Sequence, residues 1–379
     1  MRVSIIGWYG TETLGDVAIL DGILSVLKDV SENCEVLLGS LHPFFCERTL
    51  YEEKTVFAKT APNVKIKIFD SLCLHDRKKA VGSSDLVVVG GGPLMGLEAL
   101  HMIKNCFLIA QKKHIPTMIL GCGVGPLHQK KYVELVDEIV QLTDYVSFRD
   151  KLSCNSAKTL FKAKKEYFNL GDPAVISIEQ YKKENLGTCK KNNELTLNFR
   201  AFPKSAYGGQ CFLSNKILKN YLCDFAHIYE KVNLVPMHTF SIGGDDREYL
   251  SSLVYDLDVD NIIVHHIPKN LGELYSCYMN AKACGGMRYH SVVMQTILNG
   301  NNIVFNYTDK EKGKTMGFIK EMDKNGFYEN RLIQMNAENA EEELEKAIAE
   351  LNKNEIFEYK YTTMKNDYVQ FIKKALGLN

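Results

Sequence analysis

Short apolar runs alternate with longer stretches that are apolar at every third or fourth position, almost from one end of the chain to the other. Val3 to Ile6 leads into a glycine-rich loop and then a stretch carrying Ala18, Ile19, Ile23, Leu24 and Leu27, which predicts a strand, a turn and a helix. Cys34 to Leu38 and Val64 to Phe69 are further strand candidates. Asp85 to Val89 is an apolar, β-branched run ending in three glycines, and Thr117 to Leu120 ends in another glycine cluster. Runs apolar on both faces belong to parallel strands, because crossover helices cover both sides of such a sheet. Tyr145 to Ser147 and Tyr167 to Leu170 complete the first predicted sheet.

Between Lys182 and Asn193 the chain turns polar and loses its periodicity, the composition of a linker. The alternation then resumes. Strands are predicted at Leu195 to Phe199, Val232 to Pro236, Ile262 to Ile267 and Ile303 to Tyr307, with helices near 213–230, 245–257 and 288–299. Ala337 to Asn352 is a Glu- and Ala-rich surface helix, and a last helix runs from about Phe357 to Ala375. The expected fold is α/β, two Rossmann-like doubly wound domains facing each other across a cleft. The domains are read as 1–185 and 186–340, with C-terminal helices in 341–379 able to pack back on the first.

With 379 residues there is room for two cores. Lys plus Arg and Asp plus Glu number 46 each, so nothing global attracts nucleic acid or an anionic membrane, and any anion site must be local. The 11 cysteines are scattered without a CxxC or a His/Cys cluster; no metal site is expected, and the thiols suit a reducing compartment. No apolar run approaches the ~20 residues that span a bilayer, and MRVSIIGWYG lacks the features of a signal peptide. A cytoplasmic location is the expectation.

Open parallel sheets bind ligands outside the carboxyl ends of their strands, and the unusual segments fall at such ends. The loop from Gly7 through Trp8, Tyr9, Gly10 and Gly15 to Asp16 admits close backbone approach before a helix N-terminus. It has neither the GxGxxG spacing nor a Walker lysine. Asp16 reads either as a helix cap or as a base acting on a sugar hydroxyl. Gly90, Gly91 and Gly92 mark a sharp turn or a ligand contact, and Gly121 to Pro126 does not suit a dinucleotide turn. Arg149, beside Asp150, is a phosphate anchor or the partner of a carboxylate. In the second half Arg200 follows an apolar strand, and Gly285-Gly286-Met287-Arg288-Tyr289-His290 opens a helix. A fixed cation and an imidazole at a helix N-terminus can hold an anion and supply a proton. Tyr307 and Lys310 leave the next strand toward the same end.

In order and spacing these segments resemble the polysaccharide pyruvyl transferase family, from Ile5 to about Met322. The resemblance rests on Gly15-Asp16 with Ala18-Ile19-Leu20, the triple glycine, Gly121 to Pro126, Arg149-Asp150 with Ser153, Asp172-Pro173-Ala174, and Arg288-Tyr289-His290 followed by Tyr307, Lys310 and Gly317-Phe318. It implies a glycosyltransferase-B-like fold and transfer of a pyruvyl group from phosphoenolpyruvate to a sugar of a surface or exported glycan. The first half would hold the acceptor, free or lipid-linked, and the second the donor, with no further cofactor required. Arg200, Arg288 and Lys310 would bind the donor's phosphate and carboxylate, and His290 would be the acid. The chain departs from the family pattern at Pro93-Leu94-Met95 and at Thr13, both on the acceptor side. The competing reading is a nucleotide-sugar glycosyltransferase of the same architecture, for which Glu248 and Glu273 are the available ribose-binding carboxylates.

Overall fold

The computed structural model describes residues 1–203, 210–267, 269–311 and 313–378, which form two compact units. Unit 1 comprises Met1–Ser177 and Thr362–Asn379; unit 2 is Ile178–Tyr361. The first boundary therefore falls inside the helix Ala174–Asn185 rather than at residue 185. The expected C-terminal segment also divides. Helix Ala340–Asn352 presents Ala340, Leu344, Ala347 and Leu351 to the core of unit 2. Helix Met364–Leu376 packs on the long helix Leu14–Val30 in unit 1, and its Tyr368 hydroxyl donates to the Gly171 carbonyl at 2.6 Å.

The strands of unit 1 are β1 (Arg2–Ile6), β2 (Cys34–Ser40), β3 (Val64–Asp70), β4 (Leu86–Val89), β5 (Pro93–Leu94), β6 (Thr117–Val124), β7 (Tyr145–Phe148) and β8 (Tyr167–Asn169). All pair in parallel in the order β3-β2-β1-β4-β6-β7-β8, with the short β5 beside β6. Leu86 to Val89 are no more than 1% exposed, as a strand covered on both faces requires. The helix Leu14–Val30 is buried at every position from Gly15 to Leu27, which is why its apolar residues do not confine themselves to one stripe.

Unit 2 repeats the plan with β9 (Glu194–Asn198), β10 (Lys231–Leu234), β11 (Ile262–Val264), β12 (Ala283–Gly286), β13 (Asn302–Asn306) and β14 (Leu332–Gln334). Its parallel order, β11-β10-β9-β12-β13-β14, reverses direction between β9 and β12. The matching reversal in unit 1 lies between β1 and β4. At such a switch point adjacent crossovers leave to opposite faces, and the carboxyl ends of the two strands open a crevice that the chain does not fill. No helix among the described residues is long and apolar enough to cross a membrane.

Candidate functional site

In unit 2 the reversal brings the residues after β9 and β12 side by side. Asn198, the fully buried last residue of β9, accepts from the Arg288 backbone N–H through Oδ1 at 3.1 Å and donates from Nδ2 to the Val235 carbonyl at 2.9 Å. Arg288 is thereby fixed as the N-cap residue of helix Tyr289–Leu298, which has no side-chain cap of its own. Its guanidinium faces Asp246: Nε lies 3.0 and 2.8 Å from the two carboxylate oxygens, and Nη2 lies 2.6 Å from Oδ1. Asp246 is 1% exposed and also accepts the backbone N–H groups of Met237 (3.0 Å) and His238 (3.2 Å).

Arg200 leaves the end of β9 and donates to the Ala201 carbonyl (3.2 Å) and the Gly243 carbonyl (3.2 Å). Its guanidinium carbon stands 5.8 Å from the centroid of Tyr307, and the Lys314 ammonium stands 6.0 Å from the same ring. Among the described residues neither Arg200 nor Lys314 pairs with a carboxylate. Burial pushes the Tyr307 phenol up, but Lys314, Arg200 and Arg288 together hold it below the ordinary tyrosine value. A buried phenol that ionises more easily than one in water reports a strongly positive local field. His238 responds in the opposite sense. Burial and the neighbouring Arg288 keep its imidazole below the usual histidine range, against the pull of the Ile242 carbonyl and Asp246.

His290 is the second residue of helix Tyr289–Leu298, partly exposed, with its ring edge-on to Tyr289 at 4.8 Å. It and Arg288 thus belong to the same helix start. Lys310 stays exposed in the loop after β13; the lysine beside Tyr307 is Lys314, four residues on, which the sequence reading did not single out. Asp246 and Asn198 were missed as well. The doublet Asp245-Asp246 looks like a helix start, and Asp245 does cap helix Asp246–Val254 by accepting from the Arg247 N–H. Glu273 completes a capping box with Asn270, and Glu248 is exposed on a helix, so neither stands out as a ribose ligand.

In unit 1 the residues after β1 and β4 meet at the corresponding place. Trp8 Nε1 donates to the Pro93 carbonyl at 3.0 Å and the Tyr9 hydroxyl to the Gly90 carbonyl at 2.5 Å. Burial, with Asp16 nearby, pushes the Tyr9 phenol well above its usual value. Asp16 is 9% exposed in the first turn of helix Leu14–Val30; Thr13, not Asp16, occupies the N-cap position. Gly10, Gly15 and Gly90 to Gly92 all lie around this strand end. A small cavity is lined by Trp8, Tyr9, Thr11, Glu12 and Asp16. Arg149 is buried between Asp150 (3.3 Å) and Asp172 (4.0 Å), and Asp150 caps the helix Lys151–Leu160. It ties the loops after β7 and β8 together. Among the described residues no group of three His, Cys, Asp or Glu is placed to hold a metal ion.

Among solved structures, the UDP-GlcNAc 2-epimerase of Methanocaldococcus jannaschii in complex with UDP-GlcNAc and UDP is 13% identical, with a TM-score of 0.61 over 99% of this chain and 100% of that one. The UDP-GlcNAc-bound enzyme of the same name from Neisseria meningitidis gives 12% identity and 0.56 over 100% of both chains. Anabaena Alr3699/HepE in complex with UDP-glucose gives 9% and 0.58 over 99% of this chain and 100% of that one. At these identities the likeness is one of fold, the glycosyltransferase-B-like class. No curated protein matches the sequence. The model of one sequence family, described as polysaccharide pyruvyl transferase, matches residues 14–309. Because that match takes in most of the chain, Asp16, Arg200, Arg288 and His290 included, the chain belongs to the polysaccharide pyruvyl transferase family.

Proposed function

We propose that the protein moves the pyruvyl group of phosphoenolpyruvate onto a sugar of a surface or exported polysaccharide, closing a pyruvate ketal. The observation that carries this reading is the convergence of Arg200, Arg288 and Lys314 on buried Tyr307 at the switch point of unit 2. Of these cations only Arg288 is matched by a carboxylate among the described residues. Such a site suits a small, multiply charged anion, and a phosphate and a carboxylate three carbons apart supply that charge. The uncapped start of helix Tyr289–Leu298 adds its own partial positive charge. Lys310, exposed, would meet the donor at its outer side.

In this reading His290 gives a proton to the methylene carbon of the enol phosphate. The adjacent carbon becomes oxocarbenium-like and is attacked by a sugar hydroxyl, which loses its proton. Phosphate leaves from that carbon as a second hydroxyl adds to it, the hydroxyl's proton passes to the departing phosphate, and the ring closes. Asp16, next to Trp8 in unit 1, would accept a hydroxyl proton on the acceptor side, and the acceptor would be a glycan or a lipid-linked saccharide. For glycosyl transfer from a nucleotide sugar, the competing reading, neither Glu273, which completes a capping box, nor Glu248, exposed on a helix, is placed as a ribose ligand.

The test is phosphate release from phosphoenolpyruvate in the presence of candidate glycans, measured on the wild type and on His290→Ala. Proton donation of this kind contributes ~10²–10⁴-fold in rate. The variant is expected to lose turnover by about that factor and to keep most of its affinity for the donor. Unchanged turnover in a folded His290→Ala protein would remove histidine from the chemistry. Failure of the wild type to release phosphate with any glycan, while it hydrolyses or transfers from a nucleotide sugar, would overturn the reading as a whole.

A further inference from the structure

We infer that Asp246 is a positioning residue: with the two glycine carbonyls just before it, it sets the register of both arginines of the anion site. The inference rests on the proposed function, because it assigns a device to that same site. The segment Ser241-Ile242-Gly243-Gly244-Asp245 ends the connection from β10 to helix Asp246–Val254, and its two glycine carbonyls meet the two guanidinium groups. Gly243 gives its carbonyl to Arg200 Nη2 at 3.2 Å, and Gly244 gives its carbonyl to Arg288 Nη2 at 3.3 Å. Both glycines sit at positive φ, +96° and +88°, a region that side-chain-bearing residues enter only with strain. Consecutive carbonyls can be turned toward two different cations here because the backbone takes that conformation twice in succession.

Asp246 supplies the charge. It holds Arg288 through Nε and Nη2, and Nη1 makes no hydrogen bond among the described residues, which leaves that edge of the fork for a ligand. The same carboxylate is anchored by the Met237 and His238 N–H groups, so its orientation is set by backbone and not by the arginine alone. The neighbouring His238 and Arg247 fit this role. His238 is tied through Nε2 to the Ile242 carbonyl at 2.8 Å and kept toward its neutral form, so it does not compete with Arg288 for the carboxylate. Arg247 is bound to Asp245 (2.5 Å) and to the Thr239 carbonyl (3.1 Å), which leaves Asp246 to Arg288. A guanidinium on a four-bond stem loses considerable rotamer freedom when it grips a ligand. An arginine already oriented by a buried carboxylate has given up that freedom before the ligand arrives.

Asp246→Asn is the decisive variant. The amide oxygen can still accept the Met237 and His238 N–H groups and Arg288 Nε, so the loop keeps its anchor, but the amide N–H₂ takes the place of Oδ1, faces Arg288 Nη2 and releases it. Two readouts are taken on the full-length protein. In the arginine Nη–H region of a nitrogen-correlated spectrum recorded at low temperature, the wild type should show a slowly exchanging resonance that is absent from Arg288→Lys and lost or fast-exchanging in Asp246→Asn. In the phosphoenolpyruvate assay, Asp246→Asn should raise KM at least roughly tenfold, the low end for a charge-assisted contact, with a much smaller change in kcat and near-wild-type thermal unfolding. Gly244→Ala, where an added Cβ meets nothing within 4 Å, should move KM in the same direction through backbone conformation alone. A protected Arg288 resonance that survives in Asp246→Asn, or a KM unchanged in a folded variant, overturns the inference. A structural role alone would lower thermal stability and active fraction while KM held. If the wild type does not consume phosphoenolpyruvate, the functional reading falls, and the resonance still decides whether Asp246 positions Arg288.

Discussion

Arg200→Met removes the site's guanidinium that lacks a carboxylate partner while keeping an unbranched apolar stem over Tyr307. The magnitude follows from geometry and exposure. A unit charge 5 Å from a donor anion contributes about 3 kcal/mol at an effective dielectric of 20. Arg200 is half-exposed, so screening leaves about 1.5–2 kcal/mol, within the range of charge-assisted hydrogen bonds. Phosphoenolpyruvate affinity should therefore fall roughly 10–30-fold, measured by titration calorimetry. Stability should change little. The two carbonyls that Arg200 serves, of Ala201 and Gly243, lie where water can replace it, and a surface change of this sort stays within about 0.5 kcal/mol. A second readout needs no substrate. Arg200 is one of three cations that pull the Tyr307 phenol down, so its loss destabilises the phenolate and Tyr307 must titrate at higher pH than in the wild type. The phenolate absorbance of Tyr307 is isolated by subtracting the Tyr307→Phe titration in each background. If both the donor affinity and the Tyr307 titration were unchanged, Arg200 would not belong to the pocket, and the cationic site would have to be rebuilt without it.

Two further predictions concern the scaffold. Arg149→Met leaves Asp150 and Asp172 buried without their cation, which should cost about 3–5 kcal/mol and, for a unit of this size, lower Tm by roughly 6–20 °C in a thermal melt; a Tm within 2 °C of wild type would assign Arg149 to ligand binding instead. Gly285→Ala would bring a Cβ to 2.7 Å from Leu197 and 3.2 Å from Phe305, and overpacking of this kind should destabilise by about 1–3 kcal/mol in a denaturant titration; unchanged stability would mean that the centre of the second sheet is looser than it looks.

The parallel core strands were the most legible part of the chain. Leu86 to Val89 and Leu195 to Asn198 are buried on both faces, so their apolar runs are unbroken and the alternation with helices gives the class directly. β12 was not legible, although it is central. Its residues are Ala283, Cys284, Gly285 and Gly286, and the side chains that would announce a strand are absent because neighbours occupy their space. A Cβ on Gly285 would strike Leu197, and one on Gly286 would come within 2.9 Å of the Gln295 amide. Arg288 and His290 stand out as candidates in the sequence because their signal is local, two polar residues at a helix start. Asp246 does not, because its contact with Arg288 joins residues 42 apart and nothing in a single sequence records that pairing. Arg149 was read both as anchor and as partner, and only its burial between two aspartates favours the second.

The two units share a topology and differ in what stands at the reversal of strand order, which bears on where an anion can bind. In unit 1 the triple glycine makes room for the protein's own aromatic rings. A Cβ on Gly92 would lie 2.6 Å from Trp8 Cδ1, and one on Gly91 would lie 3.1 Å from the Tyr9 hydroxyl. These rings are neutral, and the indole N–H and the phenol each already have a carbonyl acceptor. At that end Arg149 faces two aspartates and Arg48 pairs with Glu12 and Glu52. In unit 2 the glycines at the same point are closed over by core side chains, and the crevice is left to Arg200, Arg288 and Lys314. An anion entering unit 1 would find those charges answered and would exchange water for carbonyl and aromatic surface; one entering unit 2 would find two cations with no carboxylate partner among the described residues. The same fold rule thus leaves aromatic and carbonyl surface at one reversal of strand order and cationic surface at the other. Exchanging Arg200, Arg288 and Lys314 together for neutral residues should therefore abolish phosphoenolpyruvate binding in titration calorimetry, not transfer it to the first unit.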